Sequence, residues 1–516
     1  MKVKKFERFI EYSVIVLSSL FLGILTLLSL KYTAASKNPE KYGQELMIIE
    51  RNIYSVFILI LSIAFLVILS VLFLKLSKEK QKIVLRIAIG LLLVIHLVGA
   101  IIWVNNGTFD LYADPSYVWY SASQCFDKNE GFHTLSDTLY FELWPFQSRM
   151  IFVMYCFIKL FGTVNPISWG YLNIVGLLVM DISLVLLSGE LVKENKELVM
   201  TLTAIIDLLF APVVFYTTFV YGTLLSLSFI TLSFYLIVKF VKTGLYRYGI
   251  PAAFTIPVAC LLYTATYIAV IAISIILVGT FIFKARRKRY LLLIVATCVL
   301  IYAGNKISYE WFFDHLDIER VSGVSASSYV YMGLTSVQGV NYFGSYDGSN
   351  RAIWMKYGPD SDWASEQVRV IVGEYLSGER DYHFLVEKTK GEWLEPTFGG
   401  IYESCYTSVT DKVDNFLQSD FMKLVNIMLK QLMSFIYASS VLCGLLLIIK
   451  SRKNDDTLDF YMLLPFIYVI GGILFYFAWE AKPRYLLSYY VQLFPLAAAG
   501  ISYLACCVPK LGKKHE

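Results

Sequence analysis

Two short segments of the sequence combine side chains that suit a transfer reaction on a phosphate. The first contains Asp110 and Asp114, and the second, residues 479–485, contains Lys482 and Arg484. Arginine and lysine neutralise an ionised phosphate both when it is bound and when it leaves, and a carboxylate can take the proton of an attacking hydroxyl. A phosphate-linked sugar and a hydroxyl acceptor would use both kinds of group.

Each of these residues also has a simpler interpretation when it is taken alone. An aspartate before a proline, as at Asp114, is usually a turn or cap residue. Arg149 can extend from a helix end towards the headgroups, and Lys482 with Arg484 can form a solvated pair beside Glu480. Only the combination of these residue types in one chain indicates the transfer chemistry.

Metal and redox chemistry have little support in the sequence. Asp110 and Asp114 leave a divalent cation possible, but two carboxylates four residues apart on a loop are a weak signal. We find no zinc-ligand spacing, Gly-rich phosphate loop or nucleophile elbow, and no other cofactor is predicted. Cys125 and Cys405 fall in the non-membrane segments, so they can pair, although no spacing rule supports a disulfide.

The composition shows what must position these groups. The chain of 516 residues is 57% hydrophobic and only 16% charged, which predicts an all-α polytopic membrane protein with about 12–13 crossings. Apolar runs that predict helices occupy residues 9–31, 53–75, 83–104, 147–162, 169–189, 198–213, 217–240, 249–264, 267–284, 289–305, 424–449, 459–479 and 486–506.

The basic residues of the short loops predict the orientation. They cluster before the first run, after the second, before the tenth and near the C-terminus, so these positions are expected in the cytoplasm. The net charge of +5 then reports topology and contact with the lipid bilayer, and no nucleic-acid partner is predicted.

Thirteen full crossings would place the two basic termini on opposite sides, so one run is expected not to cross. The candidates are 198–213 and 249–264, which contain prolines.

This orientation predicts five parts of the chain and a multi-pass protein of the cell membrane whose active site faces outside. The parts are three N-terminal transmembrane helices (1–104), an outer catalytic loop (105–146), a central bundle (147–305), an extracellular domain (306–423) and three C-terminal helices (424–516). The extracellular domain holds eighteen acidic and ten basic residues, which indicates a soluble domain, mixed in structure and inserted before the last three helices. Within it, 361–376 predicts an amphipathic helix that Gly378 ends.

Several motifs resemble those of a known family when they are taken in order. The first stretch, 114–122, reads Asp-Pro-Ser-Tyr-Val-Trp-Tyr-Ser-Ala, and it is followed by 140–147 and by the Leu-Phe-Gly that ends at residue 162. These look like the first outer loop and the following helix of integral membrane glycosyltransferases of the GT-C fold. The closest similarity is to the Gram-positive bacterial branch, which is related to the protein O-mannosyltransferase and aminoarabinose-transferase groups. Residues 332–346, 384–393 and 479–485 resemble later parts of the same branch.

The resemblance implies an inverting transfer of a sugar from a polyprenyl-phosphate carrier to a cell-surface glycan or a teichoic-type polymer. It gives Asp114 the role of the base that deprotonates the acceptor, and Arg484 the role of holding the carrier phosphate. The remaining substrate-binding candidates are Asp110, Gln147, Arg149, Tyr221, Glu480, Lys482 and Tyr485.

The sequence departs from the family pattern at several positions. Two extra helices precede the acidic loop, Ser148 and Arg149 stand where a small residue is common, and Thr223 stands where an acid is expected.

Two other functions stay open. One is a flippase for lipid-linked oligosaccharides or another polysaccharide exporter, which would need a site near the midplane of the membrane. The other is a polysaccharide polymerase, which would share much of the same chemistry.

Overall fold

The structure is a computed structural model. It describes residues 2–37, 46–52, 55–107, 109, 111–126, 135–284, 286–316, 319–320, 322–335, 344–359, 361–405, 410–453, 455 and 457–511. Within these ranges the chain is almost entirely helical, which confirms the predicted all-α polytopic class.

The N-terminal part contains α1 (Lys2–Lys31), strands β1 (Tyr32–Lys37) and β2 (Leu46–Arg51), α2 (Ser55–Leu74) and α3 (Lys78–Asn106). The following segment contains α4 (Ala113–Phe126), α5 (Leu135–Leu143) and α6 (Ser148–Phe161). The central bundle contains α7 (Ile167–Leu191), α8 (Lys196–Leu208), α9 (Pro212–Phe215), α10 (Thr223–Thr243), α11 (Tyr246–Leu262), α12 (Tyr267–Gly279) and α13 (Arg289–Leu316).

The domain inserted after α13 contains α14 (Ala326–Leu334), α15 (Ser349–Tyr357), α16 (Trp363–Ser377), α17 (His383–Trp393), α18 (Gly400–Cys405) and α19 (Asp411–Gln418). The chain then continues through α20 (Asp420–Lys453), α21 (Leu464–Ala478), α22 (Pro483–Val491) and α23 (Phe494–Leu511). Short 3-10 turns at Pro145–Gln147, Tyr216–Thr218, Thr264–Thr266 and Phe460–Leu463, and a π-helical turn at Thr280–Lys284, adjoin these helices.

Most of the long helices suit a membrane crossing. Among the described residues, nine helices are long and apolar enough to cross, and two bent helix pairs add two more candidates. These pairs are α8 with α9, bent by 57°, and α22 with α23, bent by 42°. Every one of the thirteen predicted apolar runs coincides with a helix or a bent pair.

The two ends of the bundle differ in their side-chain contacts. At one end, here called the basic end, Lys284 pairs with Glu7 at 2.6 Å and Lys450 with Glu194 at 2.9 Å. The opposite end, here called the site end, carries the end of α3, where the hydroxyl of Thr410 donates to the Asn106 carbonyl at 3.0 Å. Clustering of the predicted cytoplasmic residues at one end agrees with the distribution of basic loops in the sequence.

Helix α6 begins and ends at the site end. Gln147, just before it, hydrogen-bonds to the Tyr221 hydroxyl, and Trp169, shortly after it, donates its indole N–H to the Tyr221 carbonyl at 3.2 Å. With 14 residues the helix is about 21 Å long, which is short of the ~30 Å hydrocarbon thickness. The apolar run at 147–162 is therefore not a crossing.

The two runs suspected from the sequence do pass between the ends. Helix α11 contains Pro251 and Pro257 but still runs from the basic end to Tyr263, which lies beside Tyr485. The α8–α9 pair bends between its halves, so its proline bends the crossing and does not abolish it. With α6 set aside and α11 counted, twelve crossings remain in the described chain, and Lys4 and Cys506 lie at the same end.

Three titratable side chains meet halfway along the bundle. His96 of α3 lies 3.0 Å from Asp181 of α7, and Asp207 of α8 interacts electrostatically with both. All three are buried. Asn173, also on α7, donates to the Thr217 and Phe219 carbonyls at 3.1 Å each and is not part of this group.

Small residues allow the longest helices to approach closely. A Cβ on Gly500 of α23 would lie 2.1 Å from the Ser439 carbonyl oxygen of α20, and one on Gly472 of α21 would lie 2.5 Å from the Tyr489 ring. Close backbone approach through glycine is a common way to associate helices in a membrane. The apolar core thus extends through the C-terminal helices as well as the central bundle.

The inserted domain is helical wherever the structure describes it, although the sequence predicts a mixed one. Helix α16 matches the prediction closely, because Asp362 precedes it and Gly378 ends it in the left-handed conformation, at φ 79°. The two strands lie instead between α1 and α2, where they pair antiparallel with Tyr32 opposite Arg51. This hairpin contacts the inserted domain through a hydrogen bond from the Ala34 amide to the Leu394 carbonyl, at 2.9 Å.

The course of α6 predicts which side of the membrane its C-terminal end faces. We expect a cysteine at Val164, an exposed position, to react in intact cells with a membrane-impermeant maleimide, because the basic loops predict that the site end faces outside. A cysteine at Lys193, at the basic end, should react only after the cells are permeabilised. The exposed Cys156, Cys298 and Cys507 are first replaced by serine. Labelling of Val164→Cys only in permeabilised cells would show that α6 crosses.

Candidate active site

Asp114 lies in the first turn of a helix. The backbone turns into α4 at Ala113, which has a left-handed φ of 51°, a conformation that costs a non-glycine residue free energy and is often found at functional sites. Pro115 suits the first turn because its missing N–H is not needed there. The helix dipole favours a carboxylate at this end. The local fold therefore fixes the Asp114 carboxylate at the start of α4.

Both carboxylate oxygens of Asp114 accept hydrogen bonds from distant parts of the chain. The Tyr140 hydroxyl donates to Oδ1 at 2.9 Å, and Arg484 Nη2 donates to Oδ2 at 3.1 Å. The acidic and basic segments, which the sequence could only suggest as partners, are thus in direct contact.

A second carboxylate lies on the other side of the arginine. Glu403 of α18 accepts from Arg484 Nη1 at 2.9 Å, and the side chains of Glu403 and Arg484 are 8% and 10% exposed. Asp114 is more open, at 34%. The cation is therefore shared between a buried carboxylate and an accessible one, and the accessible one can meet a substrate.

Sequence reasoning missed Glu403 because it lies within the inserted domain, far from both motifs. The turn before it is held by Glu395, which accepts from the Gly399 amide at 2.6 Å and from the Thr397 hydroxyl at 2.8 Å. Tyr216 also donates its hydroxyl to the Phe398 carbonyl. The Gly399-Gly400 pair that follows a buried acidic residue is the sequence signal that could have identified this turn.

A chain of polar groups extends from Asp114 into the bundle. Gln147 Nε2 donates to the Tyr140 hydroxyl at 3.2 Å, and the Tyr221 hydroxyl donates to Gln147 Oε1 at 3.0 Å. Burial raises the pKa of both tyrosines, and the negative charge of Asp114 raises it further. Both phenols thus stay protonated, and Tyr140 remains a donor to Asp114.

The predicted substrate-binding residues of the late segment occupy two environments. Glu480 is buried, and the Tyr485 hydroxyl lies 3.5 Å from its carboxylate. Lys482 places its ammonium 6.0 Å from the centre of the Tyr346 ring. Glu480 and Tyr485 therefore contact each other inside the protein, whereas the Lys482 ammonium lies near a ring of the inserted domain.

Arg149 is not a snorkelling residue. Its side chain joins three elements, with Nε donating to the Phe146 carbonyl at 3.0 Å, Nη1 to the Tyr267 hydroxyl at 3.1 Å and Nη2 to the Thr264 hydroxyl at 2.9 Å. It is 8% exposed. Arg149 is thus fixed by three segments at the site end, and it shares no described hydrogen-bond partner with Arg484.

Asp110 falls outside the described residues, so its place at the site is not given. Within the described ranges, no group of three or more His, Cys, Asp or Glu side chains is arranged to hold a metal ion. Cys125 is a buried free thiol, so the disulfide that the sequence left possible is absent at this residue.

The inserted domain holds the backbone that leads to Arg484. Lys388 is buried and donates to the carbonyls of Gly333, at 2.8 Å, and Trp479, at 2.7 Å. The amides of Glu480 and Ala481 donate in turn to carbonyls of the domain, at 3.0 and 3.1 Å. The position of Arg484 therefore depends on the docking of this domain.

The chain matches no family model and no curated protein. Among solved structures it is similar to the archaeal oligosaccharyltransferase AglB from Archaeoglobus fulgidus in complex with an inhibitory peptide and a dolichol-phosphate. The identity is 13%, the TM-score is 0.41, and the match covers 84% of this chain and 51% of that one. It is also similar to the Archaeoglobus fulgidus oligosaccharyltransferase in complex with Zn and sulfate, at 12% identity and a TM-score of 0.41, covering 81% and 49%.

The chain spans about half the length of these neighbours.

Substituting Gly333 tests the docking of the inserted domain. A Cβ there would lie 2.3 Å from the Ala478 carbonyl oxygen and 2.4 Å from the Trp479 carbonyl carbon, so Gly333→Ala must displace the backbone before Arg484. We expect a lower melting temperature of the purified protein. The matched control is Gly373→Ala in α16, where nothing lies within 4 Å of the added carbon; it should be neutral or stabilising. Equal behaviour of the two variants would contradict this close contact.

The buried carboxylates beside Lys388 predict a dependence of stability on pH. Burial raises the pKa of Glu480 from 4.5 to about 7 and that of Glu392 to about 8, while Lys388 opposes both shifts. The folded protein therefore binds these protons more tightly than the unfolded chain does. Their contribution to stability is full below pH 4.5 and is lost as the pH rises through 7 to 8.

Glu480→Gln removes one of these titrating groups. Its melting temperature relative to the parent protein should rise steadily between pH 5 and 8, because only the parent loses stability through Glu480. The exposed Glu366→Gln serves as a control whose difference from the parent should not depend on pH. A constant difference for Glu480→Gln would show that Glu480 does not titrate in this range.

Proposed function

We propose that the protein is an inverting glycosyltransferase that moves a sugar from a polyprenyl-phosphate carrier to a cell-surface glycan or polymer. The contact of Asp114 with Arg484 is the observation that carries the proposal. It places an accessible carboxylate beside a fixed cation at one end of a membrane bundle. The distribution of basic loops supports an outward-facing site, since their charges lie at the opposite end.

The reaction assigns a separate task to each charge. The acceptor hydroxyl oxygen attacks the anomeric carbon of the donor sugar, and its proton passes to Asp114. The bond from that carbon to the phosphate oxygen breaks, and the electron pair leaves with the polyprenyl phosphate. Attack from the side opposite the leaving group inverts the configuration of the anomeric carbon.

Arg484 keeps the base ready for this step. Its Nη2 donates to Asp114 Oδ2 at 3.1 Å, which fixes the position of the carboxylate. Two of its nitrogens bind Asp114 and Glu403, and its Nε has no acceptor among the described residues. That Nε is buried, so Arg484 acts on the base, and the phosphate-holding role that the motif resemblance gives it stays a prediction.

The aromatic groups around Asp114 suit a sugar. Tyr117 stacks on Tyr140 with ring centres 4.1 Å apart, and Trp144 packs 6.3 Å from Tyr346. Flat aromatic faces with polar edges bind the apolar faces of sugar rings while they leave the hydroxyls free to hydrogen-bond. We assign Gln147 and Tyr221 to the orientation of these groups, because they connect to Asp114 through the Tyr140 hydroxyl.

A transport function has less support. An exporter needs a binding site near the membrane midplane that opens to both sides. The three titratable groups halfway along the bundle, His96, Asp181 and Asp207, are fully buried against one another.

A polymerase would share the proposed chemistry. Surface-glycan composition with and without the gene separates the two, because a lost substituent on an intact polymer indicates the transferase and a lost polymer indicates the polymerase.

Asp114→Asn tests the proposed base. The amide keeps the shape but cannot take the proton, so we expect surface sugar modification to fall by about 10²–10⁴-fold, the usual contribution of a general base. The measurement is incorporation of labelled sugar from the lipid-linked pool in cells that carry equal amounts of the membrane protein. Asp362→Asn, at an exposed position before α16, should retain full incorporation. Full incorporation in Asp114→Asn would rule out the catalytic role.

A further inference from the structure

Arg149 is a buried cation without an acidic partner. Its three described hydrogen bonds all go to neutral oxygens, and no carboxylate of the described chain lies within ion-pair distance. The guanidinium stays charged at any physiological pH, and burying a charge without a counter-charge is costly. The rings of Phe146 and Tyr267, each 5.9 Å from the guanidinium carbon, compensate only in part.

The groups around Arg149 supply more donors than acceptors. A guanidinium has five N–H groups, so two remain after the three described bonds. The Thr264 hydroxyl accepts from Arg149, and its own proton has no acceptor among the described residues. The Tyr267 oxygen accepts from both Arg149 and Asn305. Its own proton likewise has no acceptor among the described residues. Unused donors around a fixed positive charge are what a phosphate requires.

The location of these donors leaves them open to a ligand that approaches from outside the protein. Thr264 and Phe146 are exposed, so the guanidinium lies just beneath the surface. Thr264 begins the 3-10 turn before α12, and Tyr267 begins α12 itself, at the site end. The charges of Arg149 and Arg484 both act on the Tyr221 phenol. The donors therefore flank the same tyrosine as the catalytic carboxylate but belong to a different set of elements.

We propose that Arg149, Thr264 and Tyr267 bind the phosphate group of the lipid-linked sugar donor. The assignment rests on the proposed transferase function and adds the residues that carry the donor's charge. Arg484 already binds two carboxylates, so its charge is compensated within the protein. Arg149 brings the positive charge that the protein itself leaves unbalanced.

Binding of a short analogue tests this assignment. The probe is farnesyl phosphate, with farnesol, inorganic phosphate and phosphatidylglycerol as comparisons, titrated into the purified protein in detergent. We expect farnesyl phosphate to bind at least about tenfold more tightly than each comparison, because a charge-assisted pair adds roughly that much. Arg149→Gln should remove this preference, and Tyr267→Phe and Thr264→Val should each reduce it. Arg369→Gln, an exposed arginine of α16, should preserve it.

Two further measurements keep the outcomes separate. If Arg149→Gln melts at a lower temperature than the parent, its loss of binding could come from unfolding. Thr264→Val then tests the site, because it changes only an exposed hydroxyl. Asp114→Asn should bind farnesyl phosphate as the parent does while it loses sugar transfer. Unchanged farnesyl phosphate binding in Arg149→Gln and Thr264→Val would overturn the assignment, as would equal binding of phosphatidylglycerol or free phosphate by the parent. Retained transfer in Asp114→Asn would instead overturn the proposed function and leave the binding result standing.

Discussion

The ion pairs of Arg484 join three parts of the chain that are far apart in sequence. Asp114 comes from the segment after α3, Glu403 from the inserted domain, and Arg484 from the last bent helix pair. A buried arginine needs its counter-charges in place, because an isolated charge in a low-dielectric interior is strongly unfavourable. The bundle and the inserted domain therefore have to be assembled together for the site to exist.

The positions of the helices could be predicted from the sequence, but which of them cross the membrane could be predicted only in part. Apolar length located all thirteen helical runs, because a membrane requires about twenty apolar residues for a crossing. It could not show that the run at 147–162 stays at one end. Its composition is that of a short crossing, and only its contacts with Tyr221 and α4 distinguish it. The proline-containing runs were suspected instead because proline disturbs a helix, but a bend is compatible with a crossing.

The site was predicted in part for similar reasons. Asp114 and Arg484 stand in recognisable motifs, and the structure brings them together at 3.1 Å. Glu403 has no motif of its own, and Tyr140 stands in a motif that does not indicate its partner; both roles arise from packing between segments that only the fold brings into contact. Arg149 was noted for its charge, but the neutrality of all its partners depends on the positions of α12 and α13 and cannot be read from spacing.

The group formed by His96, Asp181 and Asp207 constrains how the protein is made. His96 and Asp181 lie in the interior of α3 and α7, and Asp207 lies at the C-terminal end of α8, where the bent pair turns. An aspartate at the centre of an isolated membrane span opposes insertion by about 2.5–3.5 kcal/mol. Helices α7 and α8 enter the bilayer more readily when the imidazole of α3 is already there to meet their carboxylates. Because α3 leaves the ribosome before α7 and α8, its imidazole is already present when their two carboxylates need a partner.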